Sequence, residues 1–82
     1  MTMQGDSRLT NQDAYLQGAT LVHQPWKPAD PRNDHDHCEF CWAKFADYDG
    51  CLHAGYATDD LYYWICNECF HDFKERFQWK VK

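Results

Sequence analysis

The sequence predicts a small α+β domain that a metal ion holds shut, and three observations carry that prediction. Cys38-Glu39-Phe40-Cys41 and Cys66-Asn67-Glu68-Cys69 are two Cys-x-x-Cys pairs with 24 residues between them. Phe70, Phe73 and Phe77 recur at helical spacing directly after the second pair. The chain has 82 residues, too few to bury an apolar core that stands comfortably without a staple. Four thiolates so spaced close a tetrahedral shell, because each short pair supplies two sulfurs from one turn and the chain between them folds back. The donor set points to one structural Zn2+ on Cys38, Cys41, Cys66 and Cys69. Such an ion contributes on the order of 10 kcal/mol, comparable with the net stability of an ordinary domain.

Taken in order, residues 1–13 are polar and show no sustained apolar period, so they are expected to form a mobile tail. Residues 14–34 are expected to be extended. Gly18 interrupts any helix, Thr20-Leu21-Val22-His23 has the composition of a short strand, and Pro25, Pro28 and Pro31 make a connector that neither helix nor central strand can use. Trp26 is too large and apolar to leave in water and is expected to lie on the domain that follows.

Residues 35–82 form the metal-binding domain on this reading. Trp42, Phe45 and Tyr48 are spaced three apart and predict a helical turn, reversed at Asp47-Tyr48-Asp49-Gly50. Residues 51–57 and 61–65 read as two strands joined around Thr58-Asp59-Asp60. In the second, Leu61, Tyr63 and Ile65 share one face while Tyr62 and Trp64 share the other. The phenylalanine stripe predicts a helix over about 67–79, with Asn67 as a cap and an Asp72–Arg76 pair of favourable polarity.

Knuckle, hairpin, then a helix whose first turn carries the second cysteine pair: this order resembles the treble-clef, or zinc-ribbon-like, four-cysteine zinc finger over roughly residues 37–79. The resemblance implies that Cys38 and Cys41 sit on a zinc knuckle and that Cys66 and Cys69 sit on the opening turn of the helix, around one structural zinc. Trp42 stands where many such knuckles carry glycine. The segments from His37 to Trp42 and from Trp64 to Phe70 also look like a group of small bacterial proteins without assigned function. That likeness implies a self-standing protein with no activity.

Charge narrows the function classes. The formal net charge is −5, and four thiolates around a dication add two further negative charges, giving about −7. Such a surface repels phosphate backbones, which makes nucleic acid an unfavoured partner. Eight acidic residues fall between Asp30 and Asp60 against two basic ones, Arg32 and Lys44, whereas Lys74, Arg76, Lys80 and Lys82 collect later. No apolar run approaches the ~20 residues that span a bilayer, and the polar start lacks a secretory pattern, so a cytoplasmic location is expected. Five cysteines are an odd number, and the paired spacing fits a metal better than a disulfide framework.

The remaining candidates have bland readings. His35 and His37, flanked by Asp34 and Asp36, are expected to be exposed loop residues beside a complete shell, Cys51 a half-buried small residue, and His71 a surface residue. Nucleases of the His-metal finger class carry their histidine on the hairpin beside an acidic partner. Here His53 is flanked by Leu52 and Ala54, and the Asp-His repeat precedes the first cysteine pair. Rubredoxin-type iron sites need glycine-bearing knuckles, but Trp42 and Phe70 follow the pairs. A RING-type ligase needs eight ligands at spacings this chain lacks.

With 14 aromatic residues, the core is expected to take most of Phe40, Trp42, Phe45, Tyr63, Phe70, Phe73 and Phe77. Tyr62 and Trp64, on the outer face of the hairpin, are expected either to receive the segment carrying Leu21 and Trp26 or to meet a partner. The expected function is non-catalytic: a structural-zinc module that binds another protein, as a small acidic inhibitor or antidote does. Asp59, Asp60, Tyr62 and Trp64 are its candidate contacts. The alternative is a sequence-selective nucleic-acid-binding finger using Lys74, Arg76, Lys80 and Lys82.

Overall fold

A computed structural model of the chain describes residues 8, 9 and 11–82. Eight elements follow in order: α1 (Asp13–Leu16), β1 (Thr20–Pro25), β2 (His35–His37), β3 (Lys44–Ala46), β4 (Ala54–Thr58), β5 (Trp64–Ile65), α2 (Asn67–Phe77) and β6 (Lys80–Val81). Four strands make one sheet in the order β5-β4-β1-β6, and β2 with β3 makes a second, two-stranded sheet.

The predicted short strand exists and runs two residues further, ending at Pro25, which cannot donate to a ladder. It holds an inner position: β1 runs antiparallel to β4, with Leu21 opposite Thr58 and Val22 opposite Ala57, and parallel to β6 on its other side. The sequence reading divides the chain at residue 34, and this pairing crosses that division. Leu21 is fully buried. Of the expected mobile tail, residues 1–7 and 10 lie outside the described residues. Gln12, by contrast, is 1 % exposed, and its Nε2 donates to the carbonyls of Arg8 and Glu39, both at 2.8 Å. A buried amide tying two segments together explains why Gln12 packs.

Between the cysteine pairs the structure corrects four expectations. The helical turn expected at 42–48 is absent and a short strand, β3, lies within it: Trp42 adopts φ +67, which ends any right-handed turn, and β3 then pairs with β2 through Phe45 opposite Asp36. Trp42 is 67 % exposed and contributes nothing to the core. The expected strand over 61–65 shrinks to β5, because Leu61 has φ +61 and Asp60 accepts from the Thr58 hydroxyl at 2.6 Å and the Tyr62 amide at 3.1 Å, closing a turn. Trp64 does not share an outer face with Tyr62. It is fully buried, packs on Phe45 with ring centroids 5.3 Å apart, and donates its indole N–H to the Leu61 carbonyl at 2.9 Å. Both residues of β5 are buried, since the sheet covers one side and the segment around Cys38 the other. The Glu39 amide donates to the Trp64 carbonyl at 2.9 Å.

Helix α2 matches the predicted stripe: Cys69, Phe70, Phe73 and Phe77 are buried. It ends two residues earlier than expected, at a left-handed Gln78 (φ +55), after which the Trp79 amide returns to the Lys74 carbonyl at 3.1 Å. Asn67 is not the cap. Cys66 occupies that position in extended conformation. Phe40 sits among Phe73, Phe77 and Trp79 with centroids 4.9, 5.5 and 5.7 Å away, and Tyr56 stacks flat on Phe70 at 3.7 Å. Trp79 is itself held by donation from its indole N–H to the Leu16 carbonyl at 2.8 Å. Trp79 thus joins the N-terminal segment to the end of α2. No helix among the described residues is long and apolar enough to cross a membrane.

Candidate metal centre

Cys38 and Cys41 flank the turn between β2 and β3, and Cys66 and Cys69 lie at the start of α2, so chain reversal in one sheet and helix initiation after the other converge. All four sulfurs lie within 4.8 Å of one another, and among the described residues they form the one such group of histidine, cysteine and acidic side chains. The Cys41 and Cys66 sulfurs are 3.6 Å apart, close to the roughly 3.8 Å edge of a tetrahedron with ~2.3 Å zinc–sulfur bonds. The cluster can hold a single structural metal ion, and its all-thiolate donor set fits one Zn2+.

Backbone amides are aimed at the sulfurs. Cys38 Sγ accepts from the amides of Phe40 and Cys66, and Cys66 Sγ accepts from the amide of Cys69, each at 3.4 Å. Burial pushes the Cys66 and Cys69 thiols up, and the neighbouring sulfur charges push Cys69 further. At Cys41 burial acts in the same sense, but the Ala43 amide and the adjoining sulfurs outweigh it and the thiol is lowered. One sulfur is therefore easier to ionise than its neighbours, which resist a second negative charge close by. A bound dication removes that repulsion and binds with release of protons.

Arg8 is the residue that sequence reasoning missed. Its guanidinium donates to Cys69 Sγ at 3.5 Å and to Asp72 at 2.9 Å, and lies 4.6 Å above the Phe73 ring centroid. A cation here offsets part of the excess negative charge of a four-thiolate site. Nothing in the local pattern around Arg8 announces this, because the contact spans 61 positions.

Other candidates lie outside the sulfur cluster. His35 and His37 belong to strand β2 rather than to a loop, and His35 Nδ1 is 2.6 Å from an Asp34 carboxylate oxygen. Cys51 is half-buried and unpaired, and the His53 ring meets the Tyr48 carbonyl at 3.0 Å.

Of the four expected partner contacts, Tyr62 is 63 % exposed. Asp59 is bound to Lys82 at 3.0 Å. Asp60 is committed to its turn, where hydrogen bonds from the Thr58 hydroxyl and the Tyr62 amide hold its carboxyl below the usual range. Trp64 is withdrawn into the core and presents no surface. Tyr62 instead borders a cleft of 820 Å³ together with Tyr15, Tyr63, Asp36 and Glu39. Burial raises the Glu39 carboxyl, against the hydrogen bond from Tyr15. The Tyr15 hydroxyl is pushed up to about 12, by burial first and by Glu39 second.

No protein family, curated protein or solved structure matched this chain when it was compared with them.

Proposed function

We propose that this chain is a zinc-stapled module of the treble-clef type that acts by binding another protein, with the tyrosine-walled cleft as its contact surface. The order of a turn bearing Cys38 and Cys41 between β2 and β3, the β4–β5 hairpin, and α2 opening on Cys66 and Cys69 supports the architecture. One observation carries the function: four sulfurs complete the coordination of a tetrahedral ion and leave no position for a substrate. The chemistry of recognition then falls to the cleft, where exposed Tyr62 adjoins half-buried carboxylates, as suits an acidic inhibitor or antidote-type protein.

A photo-crosslinking phenylalanine analogue placed at Tyr62 in native cells tests the reading. The expected product is one protein adduct that an analogue at exposed Asp47 does not give. Equal labelling from both positions, or none from either, overturns it. The competing reading, a sequence-selective nucleic-acid binder, has exposed Lys74, Arg76 and Lys80 in its favour. Retention of the holo protein on nucleic acid at low salt would support it.

A further inference from the structure

Two carboxylates in the cleft have no cationic partner among the described residues. Asp36 accepts from the Trp26 indole N–H at 2.9 Å and the Asn33 amide at 3.3 Å. Glu39 accepts from the Tyr15 hydroxyl at 3.0 Å. Among the described residues, no lysine, arginine or histidine nitrogen comes within 4.0 Å of either. Both are half-buried, and a partly desolvated carboxylate with only neutral donors is less stable than one facing a cation. The third acid of the cleft, Asp30, is already taken: Arg32 forks onto it through Nε at 3.1 Å and Nη2 at 2.8 Å. Net negative charge therefore remains on the side of Asp36 and Glu39.

The other wall is aromatic. Tyr15 and Tyr63 have ring centroids 4.6 Å apart at 33°, and Tyr62 stands edge-on to Tyr63 at 4.7 Å and 81°. Aromatic faces beside paired carboxylates suit a planar cation that stacks on one and forks onto the other, which describes a guanidinium better than an ammonium. The cleft volume of 820 Å³ exceeds what one side chain fills and admits several residues of extended chain.

We infer that the cleft between Tyr15, Tyr62 and Tyr63 and the carboxylates of Asp36 and Glu39 receives an arginine-bearing peptide segment of the partner protein. This rests on the protein-binding reading and supplies the partner's chemistry: a basic strand or loop, engaged by stacking and charge-assisted hydrogen bonds. The Arg32–Asp30 fork forms one rim, and among the described residues Arg32 is the one cationic side chain of the lining.

The test is calorimetric titration of the zinc-loaded protein with a short, end-capped synthetic peptide alternating glycine and arginine, beside the same peptide with lysine. Binding by the arginine peptide that weakens with salt, and that falls at least about tenfold in an Asp36→Asn/Glu39→Gln protein of unchanged zinc content and circular dichroism, is the expected result. A second variant, Tyr62→Ala, should weaken the arginine peptide more than the lysine peptide, since only the guanidinium stacks. Equal affinity for the two peptides, no loss in the carboxamide variant, or free arginine binding as tightly as the peptide would each overturn the inference. If the inference fails while the Tyr62 crosslink to a single protein persists, the binding-module reading stands and only the partner chemistry is wrong.

Discussion

The amide of Cys69 donates to the sulfur of Cys66 at 3.4 Å, so the residue that caps α2 is also one of the four sulfurs of the metal cluster. Helix initiation and metal coordination thus share an atom. In most helices an oxygen of Ser, Thr, Asp or Asn does this work. Here a thiolate does it, and the positive end of the helix dipole lies against the negative site.

That sharing predicts the behaviour of Cys66→Ser. Serine is a good cap but leaves three thiolates, so the variant should fail to retain zinc and should lose α2 despite its intact capping oxygen. Chelation of the native protein should do the same, since metal binding supplies on the order of 10 kcal/mol to a fold this small. Far-ultraviolet circular dichroism with metal analysis reads both. A helical spectrum in chelator would show that the aromatic core suffices alone.

Arg8→Gln should leave the fold intact but loosen the metal. The variant loses the guanidinium that faces Cys69 Sγ at 3.5 Å and Asp72 at 2.9 Å, and outer contacts of this kind change metal affinity by roughly tenfold or more. Competition with a colorimetric chelator measures it. An unchanged zinc affinity would reduce Arg8 to a surface ion pair.

Trp42 holds a left-handed backbone at φ +67 while 67 % exposed. A bulky residue there costs about 1–2 kcal/mol, and glycine relieves it at an entropic loss of about 0.5–1 kcal/mol in the unfolded chain. Trp42→Gly should therefore raise the urea midpoint of the holo protein slightly. A lower midpoint would mean that the approach of the Trp42 ring to His37, 6.2 Å between centroids, contributes more than the strain removes.

Tyr15 titrates at about 12 in the folded protein, chiefly through burial and secondly through Glu39. The ordinary value of a tyrosine hydroxyl is 10.0, so the unfolded chain ionises first. The contribution to stability is complete below about pH 10 and is lost as pH rises through about 12. Tyr15→Phe should flatten that part of the alkaline stability profile, and Glu39→Gln should bring the phenol's midpoint down. Nuclear magnetic resonance of labelled tyrosine ring carbons follows both; an unmoved midpoint in Glu39→Gln would place the cause elsewhere.

What could be read from the sequence was what depends on spacing. The Cys-x-x-Cys pairs and the stripe of Phe70, Phe73 and Phe77 are local patterns with one geometric solution each, and the sulfur cluster and α2 follow from them. Thr20 to His23 announced a strand through composition. The alternation at 61–65 misled, because a period of two shows which residues share a face, not whether both faces are covered. Trp64 is enclosed by Phe45 on one side and the Cys38 segment on the other. Trp42 misled because three residues spaced by three are too few to fix a period, and of Trp42, Phe45 and Tyr48 only Phe45 is buried. Arg8 and Gln12 were invisible, since their partners lie far along the chain and polarity alone reads as solvent exposure.

The inner position of β1 has a practical corollary. A fragment cut at the proline-rich connector would keep every metal ligand yet leave β4 and β6 with raw edges, and a hole where Leu21 and Leu16 had been. Such a fragment would fill its coordination shell and still seek other strands to pair with, so clumping of metal-loaded material, rather than failure to load metal, is how its incompleteness would show itself.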